Sequence, residues 1–400
     1  MRILYLTQWF EPEPNIIKGL AFVRALQEAG HEVTVVTGLP NYPAGRLYPG
    51  YRMRLVQHEV LEGVKITRLP LYPSHDQSAV RRSLNFLSFF FAVLAYCLLR
   101  TRRFDLAYVY HPPITVGLAA ALAGCVRRLP FVLDVQDLWP DTVSTTGLRG
   151  ANRLTPAIRM MCAFTYARAA LVIAQSQGMH DALAARGVPA AKLRVIRNWA
   201  TMEAALPDRP ADIEKRAPFT ILYAGNFGRA QGLATVVEAC RILARERQDV
   251  AIRLIGDGVE TDALEEQARN VPGISIEPRI PHAEMSTRFA DADALLLHLR
   301  NEPLFDITIP SKTQAYLAAG KPIVAGVGGE AANLLRDAEA GFVVQPEDAP
   351  ALATAIGRMA DVPGAVRRSM GASGRRYYQE HLSFASGIEQ TLSALESVAA

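Results

Sequence analysis

The feature that most constrains this 400-residue chain is a rhythm that runs, lapses and starts again. Short apolar segments at 3–7, 32–37, 106–110, 131–135 and 171–174 alternate with helical patterns, the first of them an amphipathic stretch at 18–29 stopped by Gly30. Apolar runs of this length, spaced by helices, are strands buried on both faces of a parallel sheet. The pattern lapses after Asn198, where 199–217 carries Pro207 and Pro210 and no clear period. It resumes with runs at 219–224, 251–255, 274–277, 294–298 and 322–325. The sequence therefore predicts an α/β chain of two Rossmann-like, doubly wound parallel-sheet domains facing a central cleft. The expected boundaries are 1–198, a linker at 199–217, 218–380, and a last helical segment at 381–400 that follows a break at Gly374 and packs back toward the first domain. Ligands of such sheets sit beyond the carboxyl ends of the strands.

Composition removes several classes of function. Forty-three basic and 39 acidic residues leave a net charge of +4, without the basic stripe expected of a nucleic-acid binder. Cys97, Cys125, Cys162 and Cys240 lie far apart, so neither a metal site nor a disulfide framework is expected, and a reducing compartment fits. The N-terminus has one arginine and a short apolar run, which predicts a strand and not a secretory signal. The cytoplasmic side of the membrane is the expected location.

One stretch breaks the rhythm. Residues 83–99 carry no charge, and Arg81, Arg82, Arg100, Arg102 and Arg103 flank them. The length is at the bottom of the range for a spanning helix, and spanning would split the first sheet across the membrane. A helix lying in the lipid interface, with its arginines on anionic headgroups, satisfies both facts. The alternative is a helix buried against the sheet. On the interfacial reading, serine at Phe89, Phe90 and Phe91 is expected to release the chain from membranes.

Two constellations in the second half point to an anion. In Tyr223-Ala-Gly-Asn-Phe-Gly-Arg-Ala-Gln-Gly-Leu233 a strand runs into a turn punctuated by Gly225, Gly228 and Gly232, and a helix is expected from about Gly232. Such a turn aims backbone N–H groups and a helix dipole at one spot, and Arg229 adds a charge. In Thr308-Ile-Pro-Ser-Lys-Thr-Gln-Ala-Tyr-Leu-Ala-Ala-Gly320, Pro310 opens a helix that stops at Gly320. Lys312 then sits in the first turn, where it opposes the helix dipole unless an anion lies between them. Gly328-Gly329-Glu330 opens another helix on the same side. In the first half, His111-Pro-Pro113 and Asp134-Val-Gln-Asp-Leu-Trp-Pro-Asp141 lie at strand ends, and Asp137 beside Trp139 pairs a carboxylate with a ring, a combination suited to a sugar.

These segments, with Pro12-Glu-Pro-Asn-Ile-Ile-Lys-Gly19, Gly38-Leu-Pro-Asn-Tyr-Pro43 and Tyr108-Val-Tyr-His-Pro-Pro113, resemble those of GT-B-fold retaining glycosyltransferases of family 4. More narrowly, they resemble the bacterial O-antigen and capsule enzymes that transfer N-acetyl-L-fucosamine. The resemblance implies a UDP-sugar donor, a polyprenyl-diphosphate-linked acceptor and no cofactor or metal. It implies Arg229, Lys312 and Asp137 as catalytic residues. Donor contacts are implied for Gly225, Asn226, Gly228, Gln231, Arg279, Asp306, Gln314, Gly328, Gly329 and Glu330, and acceptor contacts for Asn15, Lys18, Gly19, His111 and Trp139. The sequence departs from the family where most members carry an arginine after the first glycine and a lysine before the last; here these are Asn226 and Gln231. The family's two glutamates, eight residues apart, are also missing, with Ile307 and Ala315 in their places and Asp306 and Gln314 one residue earlier. A sugar-nucleotide-binding subunit of a membrane assembly, or a sugar-nucleotide 2-epimerase, are the rival readings.

Overall fold

The apolar runs become strands. A computed structural model describes residues 1–14, 17–74, 78–100, 103–141, 151–200, 218–281 and 284–399. The chain forms two units, Met1–Arg197 with Gly387–Ala400, and Asn198–Ser386.

The first unit is built on eight strands: β1 (Arg2–Leu6), β2 (Glu32–Gly38), β3 (Gln57–Leu61), β4 (Val64–Leu69), β5 (Leu106–His111), β6 (Phe131–Val135), β7 (Leu171–Ala174) and β8 (Leu193–Val195). Their order is β3-β4-β2-β1-β5-β6-β7-β8. All pairs are parallel except β3 with β4. Ile3, Leu4, Tyr5 and Leu6 are wholly buried, as a strand covered on both faces requires. The β3–β4 hairpin is absent from the sequence expectation for a physical reason. β3 is a polar, half-exposed edge strand, so it lacks the apolar run of a central strand, and its turn at Glu62 and Gly63, both at positive φ, does not use the usual Asn-Gly or Asp-Gly.

Helix α1 (Leu20–Glu28) starts two residues later than expected, after Gly19 as its cap. Helix α2 (Ala79–Arg100) packs on α3 (Ile114–Arg127) and β4. It is long and apolar enough to cross a membrane by length and composition. One face, with Asn85, Phe89, Phe90, Val93 and Cys97, is buried. The other presents Val80, Leu84, Leu87, Phe91, Ala95 and Leu99 to solvent, a stripe at helical spacing. Of the three consecutive phenylalanines only Phe91, at 64% exposure, belongs to that stripe. The expectation that Phe89 and Phe90 share its role is corrected: both fill the interior of the unit.

The second unit has six parallel strands: β9 (Phe219–Asn226), β10 (Val250–Asp257), β11 (Ile274–Pro278), β12 (Ala294–His298), β13 (Ile323–Gly326) and β14 (Gly341–Val344). Their order is β11-β10-β9-β12-β13-β14. Two of its helices matter for the site, α4 (Ser311–Ala319) and α5 (Gly329–Asp337). The expected break at Gly374 is not there; helix Gly364–His381 runs through it. Gly374 is small because α4 presses on it: a Cβ there would lie 3.0 Å from Leu317 Cδ2 and 3.1 Å from Ala340 Cβ. The helix ends instead at Leu382, before Phe384–Ala399. The expected linker falls almost wholly on 201–217, outside the described residues.

Candidate functional site

At the carboxyl ends of β9 and β10 the second unit holds a pocket of about 550 Å³. Gly225 and Asn226 form its floor, paired in register with Gly256 and Asp257. Ser311, Lys312, Ala315 and Tyr316 of α4 form one wall, and Arg279 and Ile280 another. Tyr316 fixes α4 on the sheet, its buried hydroxyl accepting from Ala224 N at 3.0 Å and donating to Ala224 O at 3.3 Å.

Lys312 is half-buried and has no carboxylate partner among the described residues. Its ammonium rests 5.0 Å from the centre of the Tyr223 ring. The lysine crosses Gly225 so tightly that a Cβ on Gly225 would stand 2.3 Å from Lys312 Cε and 2.8 Å from Nζ. Gly225 is also at φ +142°, where only glycine is at ease. Burial pushes the Lys312 pKa down to about 8. An unpaired, desolvated cation in a pocket is a ready site for an anion.

The other expected donor residues divide. Asn226 and Arg279 line this pocket. Arg229 does not: its side chain is 80% exposed, with Nε 3.6 Å from Glu260 Oε1. The turn around it folds on itself, Gly228 N donating to Gln231 Oε1 at 3.0 Å, so that N–H is already occupied. The helix expected from Gly232 is first a 3₁₀ turn at Arg229–Gln231, and the α-helix starts at Ala234. Gln231 O in turn meets the buried His298 Nδ1 at 2.7 Å. Gln314 is buried and turns its amide, in the orientation that satisfies it, onto Pro310 O and Ser311 O. It is Ala315, one residue on, that faces the pocket. The position of the family's second glutamate therefore points inward but carries no carboxylate. Asp306 abuts the start of α5, where a Cβ on Gly328 would lie 2.4 Å from Asp306 Oδ1. An internal carboxylate thus already sits by the N-terminus formed by Gly328, Gly329 and Glu330, a favourable place for it. Tyr223, Tyr316, Ser311 and Asp257 were missed; the signal for Tyr316 was its position one turn after Lys312.

The first unit gathers its candidates at the carboxyl ends of β5 and β6. His111 is wholly buried, neither ring nitrogen hydrogen-bonded to another of the described residues, and burial pushes its pKa down to about 3. It is therefore a neutral imidazole. Its ring stands edge-on to Trp139, with centroids 6.0 Å apart. Burial raises the Asp137 carboxyl. Lys18 is corrected as an acceptor contact. It is 1% exposed, its Nζ lying 3.6 Å from buried Asp134 Oδ2 and 4.7 Å from the Phe22 ring centre. Asp134 also accepts from Gln136 at 2.7 Å and Gln175 at 2.8 Å. The pair ties the loop after β1 to β6, and Gly19 caps α1. Asn15 lies outside the described residues. A second buried network went unforeseen: Gln8 Nε2 donates to Asn85 Oδ1 at 2.6 Å, Asn85 Nδ2 to Tyr72 O at 2.7 Å, and Asn41 N to Glu13 Oε1 at 2.8 Å. Gln8 Oε1 and Glu13 Oε2 have no partner among the described residues. Among the described residues, no group of three or more His, Cys, Asp or Glu side chains is arranged to hold a metal ion.

Comparison with known proteins covers both units. Residues 20–199 match the model of a glycosyl transferase 4-like domain, and residues 218–361 that of glycosyl transferases group 1. WbjE of Pseudomonas aeruginosa, named as a glycosyltransferase, is 26% identical over 315 residues, covering 74% of this chain and 76% of its own. WcaI of Escherichia coli K12, named for glycosyl transfer in colanic acid biosynthesis, is 27% identical over 318 residues with the same coverage. Among solved structures, Anabaena HepE in complex with UDP and glucose superposes with a TM-score of 0.69 at 17% identity, over 99% of this chain and 100% of its own.

Proposed function

The chain belongs to the GT-B-fold glycosyltransferases of family 4, and we propose that it moves a sugar from a UDP-sugar to a polyprenyl-diphosphate-linked acceptor in the assembly of a bacterial surface polysaccharide, O-antigen or capsule. The observation that carries the donor half is the unpaired Lys312 clasped against Gly225 in the pocket of the second unit. A diphosphate there gives the cation its missing counter-charge and holds its proton on, and the positive end of α4 adds to the attraction. HepE, solved with UDP and with UDP-glucose, supports a uridine donor. The name of WcaI, which mentions colanic acid biosynthesis, supports the polysaccharide setting. The resemblance of the sequence to N-acetyl-L-fucosamine transferases suggests an N-acetylated amino sugar as the one moved.

In the proposed reaction the bond from the anomeric carbon to the diphosphate oxygen breaks with its electrons going to the phosphate. Lys312 stabilises that charge, and Arg279 on the pocket wall is the second cation available. The acceptor hydroxyl forms the new bond from the leaving-group face, so configuration is retained, and its proton passes to the departing phosphate. No protein nucleophile enters.

The exposed stripe of α2 supports a peripheral seat on the cytoplasmic face of the membrane, where the lipid-linked acceptor resides. A second reading draws on one observation. Ala315 puts a methyl group on the pocket wall where relatives of this family carry a carboxylate, which favours a sugar-nucleotide-binding subunit with little turnover. Incubating the purified chain with a panel of labelled UDP-sugars and undecaprenyl-diphosphate-linked acceptors separates the two. Transfer with one donor supports the transferase; UDP binding with no transfer or hydrolysis on any donor supports the binding subunit. A chain that binds no uridine nucleotide contradicts both.

A further inference from the structure

The first unit has a groove of about 1080 Å³ that runs from its edge strand β3 across β4 and the amino ends of β2 and β1, under α2. We propose that it seats the phosphate and acyl chain of one anionic phospholipid, drawn from the membrane on which α2 is proposed to lie.

The walls are apolar and uncovered. Leu55, Val56 and Val60 stand on the β3 side, and Ala92, Ala95 and Leu99 on α2. Leu55 is 85% exposed, Val60 71% and Leu99 75%. Ala95 and Leu99 also belong to the exposed stripe of α2, so groove and stripe form one continuous surface. Contiguous apolar surface of this kind marks an interaction site more often than an accident of folding.

The charges at its rim choose the partner. Arg2 pairs with Asp105 and Lys65 with Glu32, and Glu59 is paired from the interior by the buried Arg68. Arg100 and Arg103, both exposed and both on the groove wall, have no carboxylate partner among the described residues. The rim therefore carries two uncompensated guanidiniums beside a hydrocarbon wall, which matches a phosphate ester joined to an acyl chain.

Position separates this lipid from the acceptor. Asn85 of α2 hydrogen-bonds Gln8, just beyond the carboxyl end of β1. Arg100 follows fifteen residues later on the same helix, about 22 Å along its axis at 1.5 Å per residue. Arg2, Glu32 and Thr34 on the groove wall are likewise at the opposite, amino ends of β1 and β2. In a lipid-linked monosaccharide acceptor the diphosphate is attached to the sugar that reacts. It cannot lie on Arg100 and Arg103 while that sugar is at the carboxyl ends of the strands. The occupant is then a bystander lipid that orients the unit on the bilayer.

The test uses the full-length, delipidated chain and dihexanoyl phosphatidylglycerol below its micelle concentration, followed by titration calorimetry. One saturable site per chain is expected. Arg100→Ala with Arg103→Ala should weaken it by about tenfold or more, and Ala95→Trp, at an exposed position that fills the groove, should abolish it with the melting temperature unchanged. Dihexanoyl phosphatidylcholine should bind about tenfold more weakly, and inorganic phosphate alone should show no saturable site. Absence of a saturable site, indifference to both variants, or tighter binding of a short polyprenyl diphosphate at the same site would overturn the proposal. A variant with Leu84→Ser, Leu87→Ser and Phe91→Ser should keep the short-chain site while losing flotation with vesicles. If flotation survives that variant, the membrane seat of α2 is wrong and the groove still stands on its own titration.

Discussion

Lys312 lies across Gly225, its Cε only 2.3 Å and its Nζ 2.8 Å from where a Cβ on that glycine would be. The two residues come from segments 87 positions apart and specify each other. Gly225 is the penultimate residue of the strand that floors the pocket, and Lys312 lies in the first turn of the helix that walls it. Burial keeps the lysine poorly solvated, and Tyr223 supplies a ring beneath it where a carboxylate would have satisfied it permanently. The cation is thus held in readiness, which is costly in the empty protein and useful once a diphosphate arrives.

Gly225→Ala should therefore disable the donor site from the floor. The methyl group collides with the lysine, and the backbone at φ +142° strains any L side chain. UDP affinity measured by titration calorimetry is expected to fall by about tenfold or more, while circular dichroism retains the parent spectrum. Unchanged affinity means Lys312 is not in contact with the nucleotide.

The pH dependence of binding has a definite sign. In the empty protein Lys312 loses its charge through about pH 8, and a bound diphosphate holds the proton on. Donor affinity should be flat from pH 7 to 7.5, and then decline toward a slope of about tenfold per pH unit above 8. The Lys312→Met protein should lack that decline. A profile that stays level to pH 9.5 in the parent would contradict the assignment.

The same burial predicts a trade between stability and binding. A lysine whose folded pKa is lowered destabilises the fold most fully below that pKa, and the cost fades as pH rises toward the unfolded value. At pH 7 the cost is at its full size, of the order of 2–3 kcal/mol. Lys312→Met should raise the melting temperature of the second unit by several degrees at pH 7, less at pH 9.5, and remove the further rise that UDP gives the parent. Scanning calorimetry with and without UDP checks all three statements.

On α2, burial sorts the phenylalanines. Phe89→Ser and Phe90→Ser remove interior packing, and each should destabilise by about 3 kcal/mol or more. Phe91→Ser with Leu84→Ser and Leu87→Ser should leave the melting temperature within a degree or two and lower vesicle flotation several-fold. Flotation is read on vesicles containing phosphatidylglycerol; equal flotation of triple variant and parent points to a helix exposed for another reason.

Much of the fold was legible because buried parallel strands are short apolar runs, and ten of them announced two sheets. β3 was not, since an exposed edge strand such as Gln57–Leu61 carries polar residues and looks like a loop. Gly374 read as a break, although glycine in a helix also serves close packing, here against Leu317. Lys312 was legible from its awkward place in the first turn of a helix. Arg229, Gln314 and Lys18 show the limit. Sequence spacing places a residue on an element, but which way the side chain turns is decided by neighbours distant in the chain, such as Glu260 for Arg229 and Asp134 for Lys18.

The most direct test compares two cations that the sequence presents as equals. Sugar transfer from the preferred UDP-sugar is measured as kcat/KM for Lys312→Ala and, separately, Arg229→Ala. Loss of the pocket cation should cost about a hundredfold or more, near 3 kcal/mol of transition-state stabilisation, whereas the exposed Arg229 should cost no more than about threefold. Equal losses, or a Lys312→Ala enzyme within a few-fold of the parent, would contradict the account.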